Sequence, residues 1–229
     1  MSTAQGARAR ARTEITAAIK DEARRQLAAE GAAKLSLRAV ARALGMVSSA
    51  LYRYFPSRDE LLTALIVDAY DSLGAAAETA EKQVHDAGPL HRWTTVCEAV
   101  RAWAMTHPHE YALLYGTPVP GYTAPQTTVQ AASRVGLLLI AIARDAHRDG
   151  TLSAPALPAD LHPEATRMAA DLAPDLPPEA VAALVAAWAQ LFGLIGFEVF
   201  GQFHGVVEHR EPFFRQAALR LAQGVGLAC

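Results

Sequence analysis

The sequence predicts an all-α chain in which an N-terminal three-helix domain carrying a helix-turn-helix precedes a larger helical domain. Three observations lead there. Apolar residues recur at three- and four-residue intervals almost throughout, and nothing alternates with a period of two over a useful length. Between Ser36 and Leu62, SLRAVARALGMVSSALYRYFPSRDELL, two short helical patterns are split by Gly45. Charge is also unevenly divided. Residues 1–62 carry eleven Lys and Arg against six acids, a surplus of +5, although the whole chain of 229 residues has a net charge of −2. The rest therefore holds −7. Such asymmetry fits a phosphate-facing head on a body that avoids nucleic acid.

The elements follow in order. Ser2–Arg12 reads as a polar arm with Arg8, Arg10 and Arg12 at every second residue, expected to be disordered and able to reach DNA. A first helix, Thr13–Glu30, has Ile15, Ala18, Ile19, Ala23 and Leu27 on one stripe, and Gly31 closes it. In the next, Leu37, Val40, Ala41 and Leu44 share a face with Arg38 and Arg42 turned away. Gly45 permits the left-handed turn between two helices. A second short helix, from about Val47 to Tyr54, is expected to bury Val47 and Leu51. It leaves Ser48, Ser49, Ala50, Tyr52, Arg53 and Tyr54 outward. Small groups there permit close approach, and hydroxyls with a guanidinium supply hydrogen bonds, a surface suited to a DNA major groove.

Pro56 and Ser57 announce a fourth helix, with Ser57 and Glu60 spaced as a capping box, running on through Leu65 and Leu73 toward Gln83. The domain boundary is placed here, giving 1–56 and 57–229. Leu90–Thr106 carries Trp93, Val96, Cys97, Val100 and Trp103 on a wide apolar face, and Pro108 opens a short helix to about Tyr115. Gly116–Pro125 is too rich in breakers for a helix. A long helix runs from near Gln126 to about Asp149, and Gly150–Pro163, with its prolines, is expected to be a mobile surface loop.

In the segment Pro178–Gly205, Ala182, Ala186, Ala189, Gly193 and Gly196 form a stripe of small residues, with a bulky stripe including Leu184, Trp188, Leu191 and Ile195 about opposite. A helix apolar all round is buried all round. One face then meets the domain's own core and the other a partner. The last helix, with Phe213, Ala217 and Leu221, packs alongside, so that two copies give a four-helix dimer interface.

Cys97 and Cys229 form no disulfide framework or Cys-x-x-Cys pair, and the histidines lack zinc-ligand spacing, so no metal or cofactor is expected. The apolar runs are read as too short to span a membrane, and no signal core follows the N-terminal arginines, which implies a cytoplasmic protein. No nucleophile with a base, paired-carboxylate cleft or phosphate loop is present, so no catalytic residue is assigned. A helical enzyme and an architectural DNA-binding protein without an effector are the alternative functional classes.

The helix-turn-helix segment resembles the N-terminal domain of the TetR family of bacterial transcription regulators, through Gly45, Leu51, Tyr52, Tyr54, Phe55, Arg58 and Leu61 in register. Val47 departs from the serine or threonine that many relatives use to cap the recognition helix. Trp188-Ala189-Gln190-Leu191-Phe192-Gly193 and the phrase YALLYGTPVPGYTAP from Tyr111 to Pro125 resemble a ligand-binding C-terminal domain of one TetR branch, called WHG, with Phe192 in place of its histidine. The resemblance implies an all-helical homodimer that binds double-stranded palindromic operator DNA and responds to a small-molecule effector, acting as a repressor. It implies that Arg38, Ser48, Ser49 and Ala50 face base edges, while Ser36, Tyr52, Arg53, Tyr54 and Arg58 face phosphates and thymine methyls. Trp93, Trp103, Tyr111, Tyr115, Trp188, Phe192 and Phe197 are the expected lining of an apolar, aromatic effector pocket.

Overall fold

The computed structural model describes residues 3–228; Ser2, with which the expected arm begins, and Cys229 lie outside them. The described residues form ten α-helices: α1 (Thr3–Glu30), α2 (Leu37–Ala43), α3 (Ser48–Leu51), α4 (Arg58–Gln83), α5 (Pro89–Thr106), α6 (Pro108–Tyr115), α7 (Val129–Arg148), α8 (His162–Leu172), α9 (Pro178–Val199) and α10 (Arg210–Val225). Three short 3-10 turns accompany them, with a single antiparallel bridge between Leu152 and Leu227 and no strand.

By packing, the chain divides into two units: one reaches to Tyr70 and takes in His109–Val129, and the other comprises Asp71–Pro108 and the chain from Gln130 onward. The division differs from the expected 1–56 and 57–229. Its reason is visible in the head unit, where Ile19, Leu27, Leu37, Val40, Leu51, Phe55, Leu61 and Leu65 form the core, and Leu113, Val119 and Tyr122 pack against it. Thr63 Oγ1 and Tyr122 Oη lie 2.9 Å apart. Arg24 spans from α1 to Asp68 of α4 at 2.7 Å and to Glu110 of α6 at 3.1 Å. A segment distant in sequence thus completes the head's core.

In the body unit α9 packs against α5, α8 and α10. Trp93, Val96, Val100, Leu191, Ile195, Phe214 and Ala218 are buried there. Two buried ion-pair systems brace this unit. Arg101 donates two hydrogen bonds to the Glu198 carboxylate, at 2.7 and 2.6 Å, and lies over the Phe214 ring. Arg92 reaches Glu81 at 2.8 Å through Nε and Asp145 at 2.8 Å through Nη1, tying α5 to α4 and α7.

Four expectations are corrected. The arm is helical from Thr3, since its alanines and arginines are good helix formers that simply extend α1. Ala18 is exposed, and Glu22 is buried on that stripe instead. The Gly150–Pro163 interval is anchored: Ser153 N donates to Gly226 O at 2.9 Å beside the Leu152–Leu227 bridge. Gly226 adopts φ 99° as the cap of α10, and a Cβ there would collide with the Ser153 carbonyl. Beyond this strap comes α8, which the periodicity did not signal but which the Pro163–Glu164 start fits, proline and a carboxylate both favouring a first turn. Finally, two helical stretches, Gln126–Arg148 and α9, are long and apolar enough by composition to cross a bilayer, contrary to the sequence reading; their most apolar parts are 33% and 39% buried inside the chain.

Candidate nucleic-acid interface

The head presents a compact reading surface. Ser36 caps α2, its Oγ accepting from Ala39 N at 3.5 Å, and Gly45 turns the chain with φ 66°. The regular part of α3 ends at Leu51, earlier than the expected Tyr54. Tyr52–Tyr54 continue as tight turns, Tyr54 N donating to Leu51 O at 2.8 Å. Leu51 is fully buried and holds the element down, whereas Val47, expected inside, is 70% exposed. The reason is positional: Val47 is the residue before the first turn of α3, with extended backbone and no side-chain cap, and so it points away from the core.

Of the expected DNA-facing residues, Arg38, Ser49, Tyr52 and Arg53 are exposed, and Ser48, Ala50 and Tyr54 are half-buried. The guanidinium of Arg12 lies 5.3 Å from the Tyr54 ring centroid, which holds that phenol against α1. Arg38, Arg42 and Arg53 have no ion-pair or hydrogen-bond partner among the described residues. Arg8, Arg10 and Lys34 likewise have none among the described residues, whereas the remaining cations of the head are engaged. Lys20 and Arg24 share Asp68, and Arg25 pairs with Glu22. Arg58, expected at a phosphate, donates from Nε to Leu35 O at 3.1 Å and from Nη2 to Ala32 O at 2.9 Å and Ala33 O at 3.3 Å.

The expected effector residues are not gathered in one lining. Tyr111 and Tyr115 belong to the head unit, where they cluster with Tyr70 at ring distances of 5.0 and 6.1 Å. Burial pushes all three phenols up from their ordinary range, so they stay neutral. In the body, Trp103 donates to Ser72 Oγ at 2.9 Å and is core. Trp93 is completely buried, and its indole Nε1–H has no acceptor among the described residues. Phe192 is buried beside Trp188, and Phe197 is 54% exposed, so it lines no interior.

What the body does contain is a cleft between α7, α8 and α9 of about 270 Å³. Gly136, Leu137, Ile140, Leu172, Leu184 and Trp188 line it, with Ser133 the one hydroxyl. Only Trp188 was foreseen. Leu137 and Leu172, at 54% and 46% exposure, stand at apolar positions whose partner is missing from the chain itself. On the next face of α9, Ala186, Ala189 and Gly193 are exposed, with Ala182 and Gly196 half-buried. A Cβ placed on Gly193 would meet nothing within 4 Å. On α10, Phe213 is exposed and Ala217 half-buried, but Leu221, expected at the interface, is 9% exposed and packs inward.

Sequence reasoning also missed a glycine. A Cβ on Gly74 of α4 would come within 2.9 Å of Arg134 Cβ on α7, so the two helices approach as only glycine permits. Arg134 then bonds Glu78 through both Nε and Nη2, at 2.8 and 2.7 Å, and Asp71 at 2.9 Å. This fork holds the Glu78 carboxyl below its usual range.

Comparison with known proteins decides the family. The profile for bacterial regulatory proteins of the tetR family matches residues 19–65, and that for a tetracyclin repressor-like C-terminal domain matches residues 93–221. HTH-type transcriptional regulators Rv1816 of Mycobacterium tuberculosis (strain ATCC 25618 / H37Rv) and Mb1846 of Mycobacterium bovis are each 43% identical over 205 residues, covering 86% of either chain. The chain belongs to the TetR family of bacterial transcription regulators. The crystal structure of regulatory protein SCO4313 superposes on this TetR-family chain with a TM-score of 0.75 at 36% identity, covering 93% of this chain and 98% of that one. A Rhodococcus sp. RHA1 protein of unknown function shares the fold, with a TM-score of 0.71 at 22% identity over 92% of this chain and 95% of that one. Residues 19–65 enclose α2, the Gly45 turn and α3, so the family's DNA-binding element coincides with the exposed polar surface described above.

Proposed function

We propose that this TetR-family regulator is a cytoplasmic repressor that binds a palindromic operator as a homodimer and is released by a small, largely apolar effector. The observation that carries the ligand-responsive part is the α7–α8–α9 cleft, whose walls are aliphatic and aromatic apart from Ser133. Such a pocket recognises a ligand by burying apolar surface, with few polar groups to orient it.

The same turns of α7 that line the cleft carry Arg134, which grips Asp71 and Glu78 of α4. A molecule wedged beside Gly136 and Leu137 displaces α7 and, through Arg134, pulls α4. That helix continues back to Arg58 at the head, so its displacement changes how the two heads of a dimer fit successive major grooves. Thermodynamically, the effector binds the DNA-incompetent arrangement more tightly than the competent one. The exposed Ala186, Ala189 and Gly193 face of α9, with Phe213 and Ala217 of α10, supports dimerisation through a four-helix contact.

Genome-wide footprinting of the purified chain tests the operator part: a two-fold symmetric footprint is expected, and binding without sequence preference at physiological salt overturns it. For the effector part, RolR, a fold neighbour at 14% identity, is described in complex with resorcinol, which makes that small aromatic diol a first probe. Release of the footprinted duplex by resorcinol or an alkyl-substituted analogue, abolished by Leu184→Trp in the cleft, supports the reading. Release that Leu184→Trp leaves untouched places the effector elsewhere.

A further inference from the structure

We infer that Arg58 is a positioning residue for DNA reading, locking the recognition element in place from behind rather than contacting a phosphate. The connection between α1 and α2 is tight. Gly31, at φ 80°, and the 3-10 turn Ala32–Lys34 reverse the chain within four residues, which brings the carbonyls of Ala32, Ala33 and Leu35 close together. A single side chain with donors in a planar fork can serve all three. Arg58, the first residue of α4, does so through Nε and Nη2, while Nη1 lies 3.6 Å from Asp59 Oδ1. Two of its three nitrogens are thus committed to three backbone carbonyls.

The residue next to this clamp is Ser36, the cap of α2, and α2 leads through Gly45 into α3. α3 is one turn long, with Leu51 as its buried anchor, and too short to hold its own orientation. Its angle to the DNA therefore depends on what fixes α2, and Arg58 fixes the entry of α2 to the start of α4. A lysine at this position keeps the charge but presents a point rather than a fork, and cannot reproduce the three bonds.

Arg58→Lys separates the two roles, because a phosphate contact needs only charge. The variant is compared with the parent on two duplexes, one enriched from a random library by the parent protein and one of random sequence, across a series of salt concentrations. The expected result is binding to the enriched duplex about ten-fold weaker, with random-duplex affinity and salt slope unchanged. Near-parental affinity for the enriched duplex, or equal losses on both duplexes, overturns the inference. Should Arg58→Lys fail to fold, nitrogen NMR of the parent decides. The Arg58 Nε–H is expected to exchange slowly in the free protein and keep its chemical shift when the enriched duplex is added; fast exchange or a large shift on binding shows a phosphate contact instead.

Discussion

The two units of this regulator turn opposite chemistries outward. Around α3 the head shows Ser49, Arg53 and Tyr52, groups that work in water and suit a hydrated polyanion, with Val47 the one large aliphatic residue among them. The body shows Phe197 at 54%, Phe200 at 44%, Phe213 at 43% and Trp188 at 41% exposure, groups that gain by leaving water. Arginine is used in opposite ways as well. On α2 and just after α3, Arg38, Arg42 and Arg53 have no partner among the described residues, while in the body Arg92, Arg101, Arg134, Arg144 and Arg215 each grip carboxylates. Arginine is thus left available around α2 and α3 and used as a brace in the body, as Arg24 and Arg58 are used inside the head. A net charge of −2 conceals this, because pairing, not total charge, decides which cations are available.

The sharpest way to break the comparison is to remove one arginine from each unit. Arg101→Ala strands the Glu198 carboxylate, 3% exposed, without its partner, and breaking a buried pair costs about 3–5 kcal/mol. Urea denaturation should show a loss of that order, whereas Arg53→Ala should change stability by no more than about 0.5 kcal/mol and weaken DNA binding instead. A small loss for Arg101→Ala would mean that the body's pairs are no more structural than the head's free cations.

Next in size are two tests of the outward faces. Gly193→Phe adds a ring where the single chain has open space, so its fold should be untouched, as read by circular dichroism. A close contact with a second copy should weaken by about 1–3 kcal/mol, as read by sedimentation. Unchanged dimerisation would remove α9 from the interface. Arg38→Ala should cost about 1–3 kcal/mol at one symmetric pair of operator positions and little elsewhere, measured on an operator library. A uniform loss would make Arg38 a phosphate contact.

A smaller effect concerns acid stability. Burial opposes ionisation of Glu81, but hydrogen bonds from His85 and Arg92 outweigh it, and its pKa sits below the usual carboxylate range. Its stabilisation is therefore complete above the unfolded value near ~4.3 and lost as pH falls through the lower folded value. Thermal melts of Glu81→Gln should lie below the parent at neutral pH and converge with it as the pH is lowered toward ~3. A constant gap would show that Glu81 acts without its charge. Smallest is Val47→Thr, which gives α3 the cap that it lacks and should raise the stability of the chain by about 0.5–1 kcal/mol.

The order of the helices other than α8, the burial of Leu51 and the exposure of the Ala186–Gly193 stripe were legible from three- and four-residue periodicity, because a local helix converts spacing directly into faces, and the Gly45 turn from its glycine. The family resemblance extended that reading to the DNA-facing residues, although the structure itself shows only which of them are exposed. The apolar cleft was less legible. Aromatic residues on apolar stripes look alike whether they end in a cleft or a core. Only packing sent Trp103 to Ser72, Tyr111 to the head and Leu137 to an open cleft.

By itself, then, the sequence determined most of the helices and, for most of them, which side is apolar, since these depend on neighbours within a turn or two; α8 and the helical arm escaped it. Tertiary structure decided what no local pattern encodes: that residues 109–129 complete the head's core, that Gly74 lets Arg134 grip α4, and that Arg58 spends its fork on three backbone carbonyls. The physical reason is common to all three. Each joins groups at least 23 residues apart, and their meeting depends on how helices cross rather than on how any one helix forms.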